Sequence, residues 1–324
     1  MEEKIRVAFI YKANNVFMTG KHFDNVYYNF FMKALKRNNR IQVSYFHSED
    51  TFDVTTLNEK IDVILLWQNN EFGTPDLLGM EELDIPVISR CADPREAEET
   101  VRYHKKWKID YYFHFWSESF FHSFLPKNFR YKSIIFGLEP SLYENVKPFN
   151  KRIKNKILNS GAVGNTKFLS KIINNIKNPK WNALRIYYLR TICNKLPYVQ
   201  YTTTLNHEYV NDKYPELLQK YSAAIAANSL CTVAKMWEIP AAGCLCFLEV
   251  NEHNNVDEIG FIDGESAVFI NTKNYKEKFE EYLEDPNNPK WEKIANNGRK
   301  FAMEELNNDK AVDALVDLMK SLLK

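Results

Sequence analysis

The sequence has no long hydrophobic run, and this absence excludes a membrane-spanning helix. A span needs roughly 20 consecutive apolar residues, and no apolar stretch of this 324-residue chain approaches that length. The first residues, MEEKIRVAFIY, carry acids where a secretory signal peptide carries bases. We therefore expect a cytoplasmic protein, and its composition, 45% hydrophobic and 26% charged, is that of a globular chain.

Cysteine is scarce, and the positions of the cysteines exclude a structural zinc site. The five cysteines are Cys91, Cys193, Cys231, Cys244 and Cys246. Their number is odd and their spacing is not that of metal ligands. Cys244 and Cys246 alternate with apolar neighbours as in a strand, so we expect buried apolar side chains there.

Acidic residues are missing from one long segment, although the formal net charge of the chain is only +1. Residues 145–207 contain 12 Lys and Arg and no Asp or Glu, so the other 31 basic residues share the rest of the chain with all 42 acids. Such an imbalance indicates a surface that meets an anion. The phosphates of a small ligand, a nucleic acid and an anionic membrane all remain possible partners.

Short apolar runs alternate with amphipathic stretches along the whole chain. The clearest predicted strands are Ile5–Tyr11, Ile41–His47, Asp62–Trp67, Ile85–Arg90, Asp110–Trp116, Ala223–Ala227, Cys244–Val250 and Glu265–Ile270. Near-continuous apolar strands separated by helices predict parallel sheets covered on both faces. The fold class is therefore α/β, with two doubly wound, Rossmann-like domains facing a central cleft.

The chain is longer than one hydrophobic core usually serves, which favours two domains. The segment Phe136–Asn150 has two prolines and no periodicity, as a linker does. We place an N-terminal domain at residues 1–140 and a C-terminal domain at residues 141–305. Residues 306–324 form an amphipathic helix that we expect to pack back toward the N-terminal domain.

The stretch AAIAANSLCTVAKMWEIPAAGCLCF combines a strand, a turn and a helix that we expect to begin near Thr232. The start of a helix presents free N–H groups to an anion. Lys235 and Glu238 are three residues apart and so share one face of that helix. Lys235 is suited to a phosphate, and Glu238 can accept two hydroxyl groups, as a ribose presents them.

The second half of the chain resembles the nucleotide-sugar-binding domain of GT-B glycosyltransferases, in the group-1 and spore-maturation-type branch. The likeness lies in the order of several pieces rather than in one motif. Those pieces are FGLEPSLYENVKPFNKRIKNKILNSGAVGN, YYLR (Tyr187–Arg190), KMWEIPAAGCLCFLEV, FIDGESAVFI and YLEDPNNPKWEKIANNGRKFA. The resemblance runs from Phe136 to the C-terminus, whereas the first half shares only the doubly wound pattern.

The resemblance implies a GT-B architecture and a donor site in the second domain. Glu238 would hold the ribose hydroxyls, the amides from Leu230 to Thr232 would meet the diphosphate, and glycines would let the backbone approach the donor. The donor-binding residues implied are Gly161, Gly164, Arg190, Ser229, Thr232, Lys235 and Glu238. It also implies that the reaction needs no metal and no cofactor, because amides and cations stabilise the leaving nucleoside diphosphate.

The sequence departs from the family at one position. Retaining members often carry a further Glu eight residues before the one matched by Glu238, and here that position is Leu230. The resemblance therefore does not carry over the retaining mechanism or the usual contact with the transferred sugar.

The first domain is expected to bind the acceptor. His22 or Asp24 is the candidate general base, because a base must reach the acceptor hydroxyl; alternatively, Asp24 caps the helix that follows. TGKH (Thr19–His22) is not a P-loop, because the earlier glycine and the Ser or Thr after Lys are missing. The candidate acceptor-binding residues are Asn14, Asn15, Lys21, Gln68, Asn69 and Glu118.

The predicted function is sugar transfer from a nucleoside-diphosphate donor such as a UDP-sugar to a glycan or lipid-linked acceptor. Two alternatives remain open. The acceptor can be a modified nucleic-acid base, since a basic segment can follow a phosphate backbone. The protein can also be a non-catalytic sugar- or nucleotide-binding protein, because a fold alone does not settle function.

Overall fold

The computed structural model describes residues 3–57, 60–177, 179, 181–202 and 208–323. The chain forms two compact units, the first made of Met1–Gly137 with Asn308–Lys324 and the second of Leu138–Asn307. The sequence places the corresponding boundaries at residues 140 and 305. None of the described helices has the length and the apolar character that are needed to cross a bilayer.

The first unit is built on a six-stranded parallel sheet. Its strands are β1 (Ile5–Lys12), β2 (Ile41–Ser48), β4 (Val63–Leu66), β6 (Val87–Arg90), β7 (Tyr111–His114) and β8 (Tyr131–Ser133), and a separate parallel pair is formed by β3 (Thr51–Asp53) and β5 (Asp76–Leu78). The order in the sheet is β2-β1-β4-β6-β7-β8. The three-residue strands β3, β5 and β8 are not predicted from the sequence, because such short segments show no periodic pattern.

Helices of the first unit include the last helix of the chain. They are α1 (Val26–Tyr28), a π-helical stretch (Asn29–Ala34), α2 (Leu35–Arg37), α3 (Ala97–Lys106), α4 (Glu118–Phe121) and α12 (Asn308–Leu322). The apolar face of α12 is buried. Its opposite face carries Asp313 and Asp317, which pair with the guanidinium of Arg40. Both faces of the amphipathic helix α12 therefore find partners within this unit.

The second unit contains a five-stranded parallel sheet in the order β10-β9-β11-β12-β13. The strands are β9 (Ile153–Ser160), β10 (Val199–Thr202), β11 (Tyr221–Ala226), β12 (Leu245–Glu249) and β13 (Val268–Ile270). The helices are α5 (Phe168–Lys177), α6 (Ala183–Ile186), α7 (Tyr188–Cys193), α8 (Tyr214–Leu218), α9 (Lys235–Ala241), α10 (Tyr275–Glu284) and α11 (Pro289–Glu305). Residues 178, 180 and 203–207 of the acid-free segment lie outside the described residues.

The central strands of this sheet are buried along their whole length. Every residue of β11 and of β12 is buried, which is why both strands read as continuous apolar runs. Cys244 and Cys246 are among the buried residues, as expected, and burial raises the pKa of the Cys244 thiol to about 11. The polar side chains of β11 and β12 therefore lie at the ends of these two strands, and the carboxyl ends of all five strands meet at one edge.

Helix α11 lies close to the backbone of the sheet region because Gly298 has no side chain. A Cβ atom at Gly298 would stand 2.3 Å from the carbonyl oxygen of Ser266 and 3.5 Å from Cβ of Pro240. Gly298 is the glycine of the sequence IANNGR.

We predict that Gly298→Ala lowers the free energy of unfolding by about 1–3 kcal/mol, because the added methyl group forces the helix away from Ser266. Asn296→Ala is the matched control, since Asn296 is exposed on the same helix, and alanine there should leave stability unchanged or slightly raised. Urea denaturation of the full chain measures both. Equal stabilities of the two variants would contradict the close approach.

Candidate functional site

The centre of the candidate site is the last residue of β9. The carbonyl oxygen of Ser160 accepts hydrogen bonds from Lys235 Nζ, at 2.6 Å, and from Arg190 Nη2. The hydroxyl group of Ser160 bonds to the Tyr214 hydroxyl at 2.7 Å. Residues from α7, α8 and α9 thus converge on one strand end, so two positive charges share one carbonyl oxygen.

Arg190 is buried, with only 2% of its surface exposed. Its Nε donates to Oδ1 of Asn159 at 3.1 Å, and its guanidinium lies 5.4 Å from the ring of Tyr187. Burial lowers the pKa of Arg190. No carboxylate of the described chain forms an ion pair with it, and its direct contacts are with neutral oxygens and an aromatic ring.

Glu238 lies on α9, one turn after Lys235, and is partly exposed. The Tyr143 hydroxyl donates to Oε1 of Glu238 at 3.5 Å. The charge of Glu238 also adds to the effect of burial in raising the pKa of Tyr214. The structure therefore brings Lys235, Arg190 and Glu238 into one neighbourhood, and it adds Ser160 and Tyr214, which the sequence does not single out.

The turn before α9 differs from the expectation. The helix begins at Lys235, three residues later than Thr232. The amides of Leu230 and Cys231 donate to Oδ1 of Asn228, at 3.0 and 3.2 Å. These two amides are therefore used within the turn, because an Asn side chain can satisfy the N–H groups that follow it. Their contact with a diphosphate stays a prediction. Thr232 is buried.

The two glycines after β9 have different roles. Gly161 has a φ of +97°, a conformation that glycine adopts readily, and its amide donates to the carbonyl oxygen of Thr202 at 2.9 Å. Gly164 instead lies against α6, where a Cβ atom would stand 2.4 Å from Cα of Leu184. The space that a Cβ atom of Gly164 would occupy is thus filled by Leu184, and the role of Gly164 in donor binding stays a prediction.

Glu249, at the end of β12, is a site residue that the sequence reasoning missed. It is 2% exposed, and Oε1 accepts from Ser229 Oγ at 2.9 Å and from Asn251 Nδ2 at 3.3 Å. Burial raises the pKa of Glu249 to about 7, although both hydrogen bonds and the charge of Arg190 lower it. The sequence indicates this residue in one way: Glu249 is the one acid within the apolar run CLCFLEV.

In the first unit, the loop after β1 holds the candidate base residues. His22 Nδ1 lies 3.0 Å from the carbonyl oxygen of Asp24 and 3.1 Å from its amide nitrogen. Oδ1 of Asp24 accepts from the amide of Val26 at 3.0 Å, the contact of a helix-capping acid. Asn14 and Lys21 are exposed in the same loop, whereas Asn15 is buried and caps a short 3₁₀ turn.

The polar residues after β4 are turned inward. Gln68 and Asn69 are buried. Gln68 Nε2 donates to Oε2 of Glu96 at 3.3 Å, and its Oε1 accepts from Arg90, while Asn69 Nδ2 donates to the carbonyl oxygen of Thr100 at 3.2 Å. These contacts give Gln68 and Asn69 a structural role in their loop, and their contact with an acceptor stays a prediction.

Arg90 bonds to Gln68 and so belongs to the same polar cluster. Arg90 is buried at the end of β6 and lies 4.1 Å from the ring of Trp67. The sequence reasoning missed it, although an arginine that ends the apolar strand IPVISR is a usable signal. Glu118 is the first residue of α4, where it is exposed. No group of three or more potential metal ligands occurs within the described ranges.

No model of a protein family matches the chain, and no curated protein matches its sequence. Solved structures do share its fold. HepE of Anabaena in complex with UDP-glucose superposes with a TM-score of 0.57 over 98% of this chain and 100% of its own. An α-glucosyltransferase in complex with UDP-glucose and DNA containing an abasic site gives 0.56 over 98% and 100%, and a glycosyltransferase from Rickettsia africae ESF-5 gives 0.56 over 99% of both chains.

Each of these proteins is only 11% identical to this chain. At that identity the likeness establishes the fold, and the chain has the GT-B fold of glycosyltransferases. The predicted α/β class with two doubly wound domains is confirmed. The spore-maturation-type branch stays a prediction.

The raised pKa of Glu249 predicts a pH-dependent stability. Between pH 4.5 and about 7 the folded state keeps a proton that the unfolded state has lost, so stability falls as the pH rises through this window. The total loss is about 3 kcal/mol. Glu249→Gln removes this loss, so its free energy of unfolding should rise relative to the wild type as the pH increases from 4.5 to 8.

Urea denaturation at pH 4.5, 6 and 8 measures this difference. The control is Glu277→Gln, since Glu277 is exposed in the first turn of α10, and it should change stability little at any of the three pH values. Parallel pH curves for Glu249→Gln and the wild type would show that the carboxyl group titrates alike in the folded and unfolded states.

Proposed function

We propose that the protein is a glycosyltransferase that uses a nucleoside-diphosphate sugar, and that the second unit binds the donor diphosphate at the end of β9. The observation that carries the proposal is the pair of cations on the Ser160 carbonyl. A buried guanidinium without an acidic partner is costly. Arg190 is such a group among the described residues, and a bound diphosphate provides the anion that it lacks.

Each residue of the pair has its own part in this proposal. Lys235 is partly exposed and contacts the phosphate oxygens directly. Arg190 is buried, and its positive charge attracts the diphosphate from the protein interior. When the bond between the sugar and the diphosphate breaks, negative charge grows on the leaving phosphate, and fixed cations stabilise it. The proposal needs no metal ion and no cofactor beyond the nucleotide sugar.

Glu238 accepts the ribose hydroxyls of the donor in this proposal. It is one turn along α9 from Lys235, so one helix face presents an ammonium group to the diphosphate and a carboxylate to the ribose. The nucleotide is UDP, because HepE and the α-glucosyltransferase that share the fold bind UDP-glucose.

Acceptor activation belongs to His22 in this proposal. Oδ1 of Asp24 already accepts from the Val26 amide, which leaves the imidazole as the better base. When Nδ1 carries the proton and donates to the Asp24 carbonyl oxygen, the hydrogen bond from the Asp24 amide to Nδ1 is given up. Nε2 then carries the lone pair that removes the acceptor proton. The acceptor is a glycan or a lipid-linked sugar.

We predict that calorimetry with UDP, GDP, ADP and CMP detects binding of UDP, and that Lys235→Gln and Glu238→Gln each weaken it about tenfold or more, the effect of losing a charge-assisted hydrogen bond. Lys276→Gln and Glu277→Gln are the matched controls, because both side chains are exposed on α10. Absence of binding by all four nucleotides, or equal affinities of the site and control variants, would overturn the donor site.

A nucleic-acid base is the second candidate acceptor, because one protein of this fold binds DNA and the segment 145–207 has no acids. Two observations weaken that candidate. Arg152 and Arg190 of this segment are buried, and Lys154 and Lys156 donate to Asn287 Oδ1 and to the Pro197 carbonyl oxygen. This candidate is tested by measuring glucose transfer from UDP-glucose to duplex DNA and the salt dependence of DNA binding. Transfer, together with an affinity that falls steeply as the salt concentration rises, would show that the acceptor is a nucleic-acid base and not a glycan.

The same assay separates an enzyme from a binding protein. If the wild type binds UDP-glucose but releases no UDP with any glycan, lipid-linked sugar or DNA, the non-catalytic alternative replaces the transferase.

A further inference from the structure

A cavity of about 600 Å³ opens at the carboxyl ends of β11, β12 and β13 in the second unit. Sites for small molecules usually occupy 300–1,000 Å³. The wall is largely apolar, and its amide and hydroxyl groups belong to Asn182, Ser229, Asn251, Asn271 and Thr272. Such groups both donate and accept hydrogen bonds, which suits a ligand with several hydroxyl groups.

One carboxylate lines this cavity, and one of its oxygens lacks a partner. Glu249 is 2% exposed, and Oε1 is held by Ser229 and Asn251. Within the described part of the chain, nothing forms a hydrogen bond with Oε2, although that atom is fully buried. Because a buried carboxylate oxygen without a donor is destabilising, its retention at the wall of a cavity points to a donor supplied by a ligand.

The cavity lies beside the proposed diphosphate site. Strand β12 is two places from β9 in the sheet, and neighbouring strands are about 4.8 Å apart, so the two strand ends are separated by about 10 Å. Arg190, which bonds to the end of β9, also acts on Glu249 by lowering its pKa. A group attached to a diphosphate at the end of β9 can therefore reach the cavity.

We propose that this cavity holds the sugar of the donor, and that the carboxyl group of Glu249 turns so that Oε2 accepts a hydrogen bond from a hydroxyl group of the pyranose ring. The inference rests on the proposed function. Leu230 lines the same cavity and offers an apolar surface to the C–H face of the ring. Position 230 thus supplies no carboxylate, and the neighbouring strand provides one instead.

The test compares the affinities of UDP and of three sugar nucleotides: UDP-glucose, UDP-galactose and UDP-N-acetylglucosamine. We expect the wild type to bind one sugar nucleotide more tightly than UDP. Glu249→Gln should lower the affinity for that sugar nucleotide about tenfold, since a hydrogen bond to a charged group is lost, and should leave the affinity for UDP within twofold of the wild type. Glu277→Gln is the matched control for the change of charge.

A second variant keeps the test decisive if Glu249→Gln disturbs folding. Thr272 is exposed at the rim of the cavity, so Thr272→Trp obstructs the space without changing the core. This variant should lower the affinity for the sugar nucleotide and leave the affinity for UDP unchanged.

The outcomes separate this inference from the donor site itself. If UDP and the sugar nucleotide bind normally to both cavity variants, or if only the KM for the acceptor changes, the cavity does not hold the donor sugar and the inference is overturned while the donor site stands. If the wild type binds neither UDP nor any sugar nucleotide, the proposed function fails and this inference fails with it.

Discussion

The carbonyl oxygen of Ser160 accepts from two cationic side chains, and the arrangement of the candidate donor site depends on this contact. Arg190 comes from α7 and Lys235 from α9, so the contact ties two crossover helices to the end of strand β9. Asn159 and Tyr187 take up further parts of the Arg190 guanidinium. These neutral partners lessen the cost of burying the charge without cancelling it, so the strand end remains attractive to an anion.

Both units place polar side chains at the carboxyl ends of buried strands, and in both some of these groups pair while others do not. In the first unit, Arg90 bonds to Gln68, and Gln68 bonds in turn to Glu96. In the same unit, Oδ1 of Asn69 and Nδ1 of His114 are buried without a hydrogen-bond partner among the described residues. In the second unit, Arg190 has no acidic partner among the described residues and Oε2 of Glu249 has no donor there. A network whose members pair with one another stabilises a loop, whereas groups left without partners at a cavity wall are those that a ligand can satisfy.

The sequence was sufficient for the fold and for the placement of Lys235 and Glu238 on one helix. Continuous apolar runs such as CLCFLEV predict fully buried parallel strands, and the i, i+3 spacing of Lys235 and Glu238 predicts their common face. Two local features that the sequence does not show depend on tertiary contacts. Asn228 uses the amides of Leu230 and Cys231, and Gly164 faces Leu184. Neither pairing leaves a periodic signal, because each joins atoms whose proximity is set by the folded turn.

Glu249 shows why a buried carboxylate is easier to explain from structure than to find in sequence. Within CLCFLEV its neighbours indicate burial, and burial alone makes a charged group unfavourable. In the structure Ser229 and Asn251 offset part of that cost, and the pKa still rises to about 7. A hydroxyl group that donates to Oε2 favours the ionised form. On the proposal of a sugar in this cavity, binding of the ligand therefore lowers the pKa of Glu249, and the free energy lost by burying the acid is in part recovered only when the site is filled.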